Sequence, residues 1–450
     1  MVSSKISITF APLYETNAFR QVRSGCSSVR LEYASGGRGV ACSNQVTPTT
    51  QRVNKLGNNE LTLIFFNLSG QKRDKGTVLL SQNLEKMMKR VLIMLMMAVA
   101  LPSLAHTWLG GDISMMTSNA RNGVIYKDSC GVTVDPYELF KQQGWNMMRV
   151  RLFVDPQNAP GRHHDEGVCQ DLSYVIDLCK TIKARGFEVM LDFHYSDTWA
   201  DPAKQYIPKR WENLNANALA DSIYNYTRYC LKALKAAGVD PATIQVGNEI
   251  TFGMDWPVGR VDPMSADNWD VFIRLLKAGC RACREVCPKA GIIIHTEKAG
   301  VWEMTRNYYS RLQQAGVDYD IIGLSYYPMW HGTIPNLGVT LDSLAVGFPD
   351  KPVMIVEAAY YYLHDGVNRG EEDFSHCPPG TIEGQREFTA RLVRELNSHD
   401  NVTGLFWWYP EENRYGTRYE KSEWGLNRGL FNSANGQALP ALYEMSQFKQ

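Results

Sequence analysis

Ile244-Gln-Val-Gly-Asn-Glu-Ile250 ends an apolar run on a glutamate, and how that run is read decides the fold. Taken as a buried strand, it delivers Glu249 at its C-terminal end, where a carboxylate is costly unless it has a partner or a task. Further along, Pro352-Val-Met-Ile-Val-Glu357 repeats the arrangement. In a closed barrel of parallel strands, reactive side chains collect at the C-terminal strand ends. Two carboxyls facing each other there are what glycosidic bond cleavage needs, one as acid/base and one as nucleophile. The alternative is two salt-bridged structural glutamates. Finding both in the same context argues against it.

Working outward, apolar segments at residues 110–114, 146–154, 188–195, 243–249, 291–296, 320–327, 352–357 and 402–408 read as eight strands. Amphipathic runs at 172–185, 219–237, 269–286 and 385–397 read as helices between them. Near-continuous apolar strands alternating with helices predict a parallel closed sheet, a (β/α)8 TIM barrel forming a single catalytic domain. An open doubly wound sheet is the alternative, but no Gly-rich phosphate loop follows the first strand.

The chain has 450 residues, zero formal net charge and 44% hydrophobic residues, so it has ample sequence for a large core. Zero net charge argues against a nucleic-acid partner or an anionic membrane as the main theme. The Trp and Tyr content suits sugars, whose apolar faces stack on aromatic rings, although large cores use the same residues.

Residues 1–86 differ from the rest: rich in Ser, Arg, Asn and Gly, without periodic segments. They read as an upstream extension outside the native fold, with an unusually long leader as the alternative. Met87-Met-Lys-Arg90 then precedes an apolar run from Val91 to Leu101, with small residues at Ser103 and Ala105. This basic, apolar, small-residue order is a secretory signal peptide over 87–105, too short to anchor comfortably in a bilayer. It predicts translation from Met87 or Met88 and a secreted or periplasmic domain over 106–450, with no stable membrane anchor.

Polar residues gather at the strand C-termini: Arg149 and Arg151, Asp192 and His194, Asn248 and Glu249, His295, Tyr326 and Tyr327, Glu357, Trp407 and Trp408. Such a ring is hard to explain as core packing and natural as a site at a barrel mouth. With its Asn-Glu at strand four and Glu at strand seven, the chain resembles the retaining (β/α)8 glycoside hydrolases. Met148-Arg-Val-Arg-Leu-Phe-Val-Asp-Pro156, Leu191-Asp-Phe-His-Tyr-Ser-Asp-Thr-Trp-Ala-Asp-Pro202, Val246-Gly-Asn-Glu-Ile250 and Gly323-Leu-Ser-Tyr-Tyr-Pro328 narrow the resemblance to family 53, the arabinogalactan endo-β-1,4-galactanases. The string from His194 to Pro202, which contains Asp197 and Trp199, is the most specific of these.

The resemblance implies retaining, endo-acting hydrolysis of β-1,4-galactan or type I arabinogalactan by a monomer that needs no organic cofactor. It implies Glu249 as acid/base and Glu357 as nucleophile. Asn248 would contact the sugar 2-hydroxyl, and Tyr326 would hydrogen-bond the nucleophile. Arg149 or Arg151 would lower the nucleophile's pKa, His194 would flank the acid/base, and Trp408 would floor the cleavage point. Ala358-Ala-Tyr-Tyr-Tyr362 departs from the family's small residue followed by Ser, which leaves the neighbouring subsites open. A β-mannanase, a cellulase or a non-catalytic glycan-binding barrel are the competing readings.

Several residues have plainer explanations. His194 suits a satisfied core position, one of Trp407 and Trp408 must face the helices, and Arg149 or Arg151 suits a structural pair with Asp192. Cys280, Cys283 and Cys287 share a helix face without a completing ligand, and so read as small buried residues rather than a metal site. Cys130 with Cys169 is one conceivable disulfide after export, with connectivity open. Some bacterial members of the resembled family hold calcium after strand seven. Asp365, Glu371, Glu372 and Asp373 offer oxygen ligands there without fixed spacing, and a solvated loop is the plainer expectation.

Overall fold

The computed structural model describes residues 107–417 and 426–449, together with a two-residue antiparallel pairing of Val29–Arg30 with Ile64–Phe65. The chain divides into two units, Met1–Ser103 and Leu104–Gln450. The signal peptide expected at 87–105 and the start expected near His106 lie outside the described residues.

The second unit is the barrel. Its strands are β1 (Trp108–Asp112), β2 (Met147–Leu152), β3 (Glu188–Phe193), β4 (Thr243–Val246), β5 (Gly291–Thr296), β6 (Ile321–Tyr326), β7 (Val353–Ala358) and β8 (Val402–Trp408). Each pairs in parallel with its sequence neighbours, and β8 pairs with β1 to close the sheet. One principal helix follows each strand: α1 (Pro136–Gln142), α2 (Leu172–Ala184), α3 (Ala216–Ala236), α4 (Trp269–Val286), α5 (Trp302–Gln314), α6 (Ile334–Gly347), α7 (Ile382–Asn397) and α8 (Pro440–Met445).

Side-chain oxygens of Asp135, Asp171, Asn215, Thr333 and Thr381 cap the starts of α1, α2, α3, α6 and α7 by accepting otherwise unpaired backbone N–H groups. The sequence reading missed α1, α5, α6 and α8. α5 is mostly polar in composition, and in α6 Pro335 and Gly338 read as helix breakers and mask the buried stripe of Leu337, Leu341 and Leu344. Cys280 and Cys283 on α4 and Cys287 at its C-terminal cap are buried, as expected of small core residues.

Strand side chains alternate between barrel interior and helix layer. The lower interior is apolar, packed by Met147, Met190, Ile293, Ile321, Met354, Val356 and Phe406. Two residues up the same strands, the same face carries Arg149, Asp192, His295 and Trp408. Gly110 leaves room for this packing, since a Cβ there would sit 1.7 Å from the Met147 carbonyl oxygen. The barrel is thus an apolar plug under a polar mouth.

Two departures from regular strands aim the glutamates. β4 ends at Val246, three residues before the expected end, so Glu249 sits in the turn beyond it with φ 47° and ψ 52°. A non-glycine residue in that left-handed region costs about 1 kcal/mol and persists only where its surroundings hold it. On β7 the pairing with β6 skips Val356: Leu324 lies opposite Ile355, but Ser325 lies opposite Glu357. This bulge turns Glu357 toward the interior, out of step with simple alternation.

Candidate active site

Arg149 is the centre of the mouth. Its Nη1 donates to Asp112 Oδ2 at 2.6 Å. Its Nη2 reaches Asp192 Oδ2 at 2.9 Å, Asn248 Oδ1 at 2.8 Å and Glu357 Oε1 at 2.8 Å. One guanidinium therefore ties together residues from β1, β3, β7 and the turn after β4. Arg151 pairs with Asp112 Oδ1 at 3.0 Å and lies 4.5 Å from the Trp199 ring. Burial pushes the Asp112 carboxyl up, but Arg151 and Arg149 hold it below its ordinary value. Of the two arginines, Arg149 contacts Glu357 and Arg151 is held by Asp112.

Glu357 also accepts from Tyr327 Oη at 2.8 Å. Tyr326, expected in that role, instead points into the helix layer. Its ring stacks near Phe388 and its hydroxyl donates to the Gly332 carbonyl. Parity explains the correction. Ile321, Gly323, Ser325 and Tyr327 share the inward face, and Tyr326 belongs to the other.

Glu249 has different company. Ser325 Oγ donates to its Oε1 at 2.7 Å. His295 Nε2 lies 2.8 Å from Ser325 Oγ, and the Glu249 backbone N–H donates to His295 Nδ1 at 3.3 Å. A backbone N–H can only donate, so Nδ1 accepts and the ring proton sits on Nε2. Asn248 Oδ1, 3.1 Å from the same Nδ1, is satisfied by Arg149 and by Gln245. The chain therefore runs from His295 Nε2–H to Ser325 Oγ and from Ser325 O–H to Glu249 Oε1. Burial, helped by Arg149, lowers the His295 pKa well below the usual range and keeps the ring neutral. With Oε1 accepting, Oε2 of Glu249 is the oxygen left to hold a proton.

The two carboxyls differ in acidity by construction. Burial raises Glu249 well above the ordinary range, the charges of Glu357 and Glu297 add to it, and the Ser325 hydrogen bond opposes. Burial raises Glu357 too, but Arg149 and Tyr327 pull it back. Both carboxyls are therefore raised, and the expected lowering of Glu357 below an ordinary glutamate is not found: burial outweighs Arg149 and Tyr327, whose opposition leaves Glu357 the more acidic of the pair.

The remaining expected residues fall into two groups. His194 Nε2 lies 3.1 Å from Asp192 Oδ2, and its Nδ1 accepts from the Ala200 N–H. Trp199 and Trp408 lie beside each other, ring centroids 6.3 Å apart and planes tilted by 57°. Trp407 is buried with its Nε1 donating to the Arg428 carbonyl, which leaves Trp408 as the indole at the mouth. Asp197 stands apart: it accepts from Asn158 and from the Lys209 N–H, and so holds the loop after β3 instead of joining the central network.

The acidic loop after β7 does not assemble a cation site. Asp365 pairs with Arg369, and Asp373 accepts the Ser375 N–H. Among the described residues no cluster of three or more His, Cys, Asp or Glu could hold a metal. The eight cysteines among them are unpaired; Cys130 sits in an exposed turn and Cys169 packs against the core, so they form no disulfide.

Sequence reasoning gave no role to Asp112, Gln245, Ser325, Tyr327 or Arg428. Inward parity with recognised residues marks Asp112, Gln245, Ser325 and Tyr327; nothing local marks Arg428.

A parallel (β/α)8 barrel with two buried glutamates in unlike surroundings at its mouth is the arrangement a glycoside hydrolase of the two-carboxylate type uses. The chain belongs to Glycosyl hydrolase family 53, whose model matches residues 108–445. It is 35% identical over 310 residues to a Bacillus subtilis endo-beta-1,4-galactanase, covering 67% of this chain and 69% of that protein. It is 32% identical to a Cellvibrio japonicus arabinogalactan endo-beta-1,4-galactanase, covering 76% of this chain and 94% of that protein. The Ignisphaera aggregans GH53 catalytic domain superposes with a TM-score of 0.68 at 33% identity, covering 78% of this chain and 98% of that one.

Proposed function

We propose that this chain is a retaining endo-β-1,4-galactanase in which Glu357 is the nucleophile and Glu249 the acid/base. One observation carries the assignment: Arg149 and Tyr327 hold Glu357, whereas no cation pairs with Glu249 among the described residues. The Glu357 carboxylate attacks the anomeric carbon as the glycosidic C–O bond breaks. The proton on Glu249 Oε2 passes to the departing oxygen, leaving a covalent galactosyl-enzyme. Glu249, now ionised, takes a proton from water. That water attacks the same carbon and frees Glu357, and the two inversions give net retention. Ser325 and His295 present Oε2 by occupying Oε1. Trp408 offers an apolar face to the reacting galactose, and Asn248, held by Arg149, adjoins its 2-hydroxyl. None of these steps calls on an organic cofactor.

Family membership favours galactan over mannan or cellulose, and the intact, differentiated carboxyl pair favours turnover over simple glycan binding. The test is reducing-sugar release from linear galactan, mannan and cellulose side by side, with the first-formed anomer followed by NMR. Galactan alone should be cut, with β product appearing first. Faster release from mannan or cellulose would overturn the substrate, and α product first would overturn the mechanism.

The order of basic, apolar and small residues over 87–105 supports export of a protein beginning near His106. N-terminal sequencing of exported protein checks this, and recovery of any peptide from residues 1–86 would contradict it. Among the described residues no helix is long and apolar enough to cross a membrane.

A further inference from the structure

Arg428 is one of three buried arginines among the described residues, with Arg149 and Arg151. The other two are held by carboxylates. Arg428 has none: its guanidinium makes no ion pair or hydrogen bond among the described residues, and its Nε is buried without an acceptor. It sits instead among aromatic rings, 5.0 Å from the centroid of Trp408, 5.2 Å from Tyr361, 5.4 Å from Trp330 and 5.6 Å from Tyr327. Two of these rings belong to the reaction site: Trp408 is its stacking indole, and Tyr327 donates to Glu357.

The backbone that carries Arg428 is fixed with unusual care. The Glu412 carboxylate accepts the N–H groups of Asn427, Arg428 and Gly429 at 2.9, 2.9 and 3.0 Å. Trp407 Nε1 binds the Arg428 carbonyl at 2.8 Å. These contacts hold the backbone of Arg428, while among the described residues no acceptor meets its guanidinium. Cation–π contact offsets part of the cost of burying the charge, but it leaves the in-plane N–H fork without an acceptor. A fork of this kind matches a carboxylate in two-point geometry. Beside it Trp330 is 43% exposed, an indole face of the kind on which a pyranose ring lies.

We propose that Arg428 and Trp330 form a subsite on the Glu357 side of the cleavage point that takes an acidic sugar, with a hexuronate carboxylate on the guanidinium and the ring against the indole. This rests on the galactanase reading for the sugar at the cleavage point and extends it to substrates in which a uronate adjoins the galactosyl chain. Neutral sugar hydroxyls would also accept from an arginine. That no carboxylate among the described residues pairs with Arg428 favours the anion, because a neutral ligand leaves the buried charge uncompensated.

The test is ligand-observed NMR titration of the whole enzyme with D-galacturonate and with D-galactose, at low and high sodium chloride. Galacturonate should bind at least about tenfold tighter than galactose, and added salt should narrow the difference. In Arg428→Gln the two should come within about threefold of each other, while Arg428→Lys, which keeps the charge but loses the fork, should retain part of the preference. Because each result is a ratio within one variant, general loosening of the fold moves both ligands together. Equal affinities in the unaltered enzyme would overturn the proposal and make Arg428 a donor to hydroxyls. Failure of galacturonate to bind, or a preference that survives Arg428→Gln, would overturn it as well. A chain that cuts no galactan but keeps the Arg428-dependent preference would lose the activity reading and not this one.

Discussion

Glu249 and Glu357 are both buried at the same barrel mouth, yet their surroundings differ in kind. Glu357 rests against a guanidinium and a phenol, in a network of fixed charges. Glu249 rests against a serine and, behind it, a neutral histidine. Burial alone would raise both pKa values and leave two interchangeable acids. A cation placed beside one of them, and only hydroxyl and imidazole groups beside the other, separates their roles. The strand-end turn at Glu249 and the bulge before Glu357 bring each carboxyl to its own set of neighbours.

The comparison breaks most severely at Arg149. Arg149→Met leaves Asp112, Asp192 and Glu357 buried without their shared cation. Loss of one partner of a buried pair costs about 3–5 kcal/mol, so chemical denaturation should show the largest stability loss of any single change at the mouth. An Arg149→Met variant as stable as the parent would remove the hub from the account.

Next come the two tryptophans of β8. Trp408→Ala should lower kcat/KM by about 1–3 kcal/mol with little loss of stability, because its lost partner is the sugar. Trp407→Ala should do the reverse, costing about 3–5 kcal/mol of stability, as buried aromatic truncations do. An activity loss confined to Trp407→Ala would mean that the facing of β8 is wrong.

The neighbouring tyrosines sharpen the Glu357 half. Tyr327→Phe removes a donor that favours the ionised carboxylate, so the Glu357 pKa rises and the acid limb of the pH–rate profile moves to higher pH. A hydrogen bond to a charged group is worth about 1.5–3 kcal/mol, or about one to two pH units. Tyr326→Phe should leave that limb where it is, and equal shifts in the two variants would contradict the inward placement of Tyr327.

The smallest effect sharpens the Glu249 half. Ser325 donates to Glu249 and favours its charged form. Ser325→Ala should therefore raise the Glu249 pKa and move the alkaline limb to higher pH, by up to about one unit. The turnover of substrates with poor leaving groups should fall, since the proton is no longer confined to Oε2. A limb that moves to lower pH would reverse the direction of the hydrogen-bond chain.

Much of this was legible in the sequence. The eight apolar runs gave the barrel, because a strand buried on both faces cannot hide its composition. The two glutamates stood out as charges at the ends of such runs. Tyr326 was mistaken for Tyr327 although alternation from Ile321 already separates them. The reach of Arg149 across several strands was not legible, since closure of the sheet brings Asp112, Asp192 and Glu357 together from distant parts of the chain. Nor was the left-handed turn at Glu249 or the skipped Val356, because both depend on how neighbouring strands meet. Arg428 lay beyond reach for the same reason: its aromatic cage is drawn from three separate segments.

The division of labour between the two glutamates is tested most directly by azide trapping with an aryl β-galactobioside that carries a good leaving group. Glu249→Ala retains its nucleophile, so it should form the covalent intermediate and pass it to azide, giving a β-galactosyl azide with retained configuration. Glu357→Ala has no nucleophile, so azide should attack directly and give the α product. The configuration of each product is read by NMR. A β-azide from Glu357→Ala, or an α-azide from Glu249→Ala, would contradict the assignment of the pair.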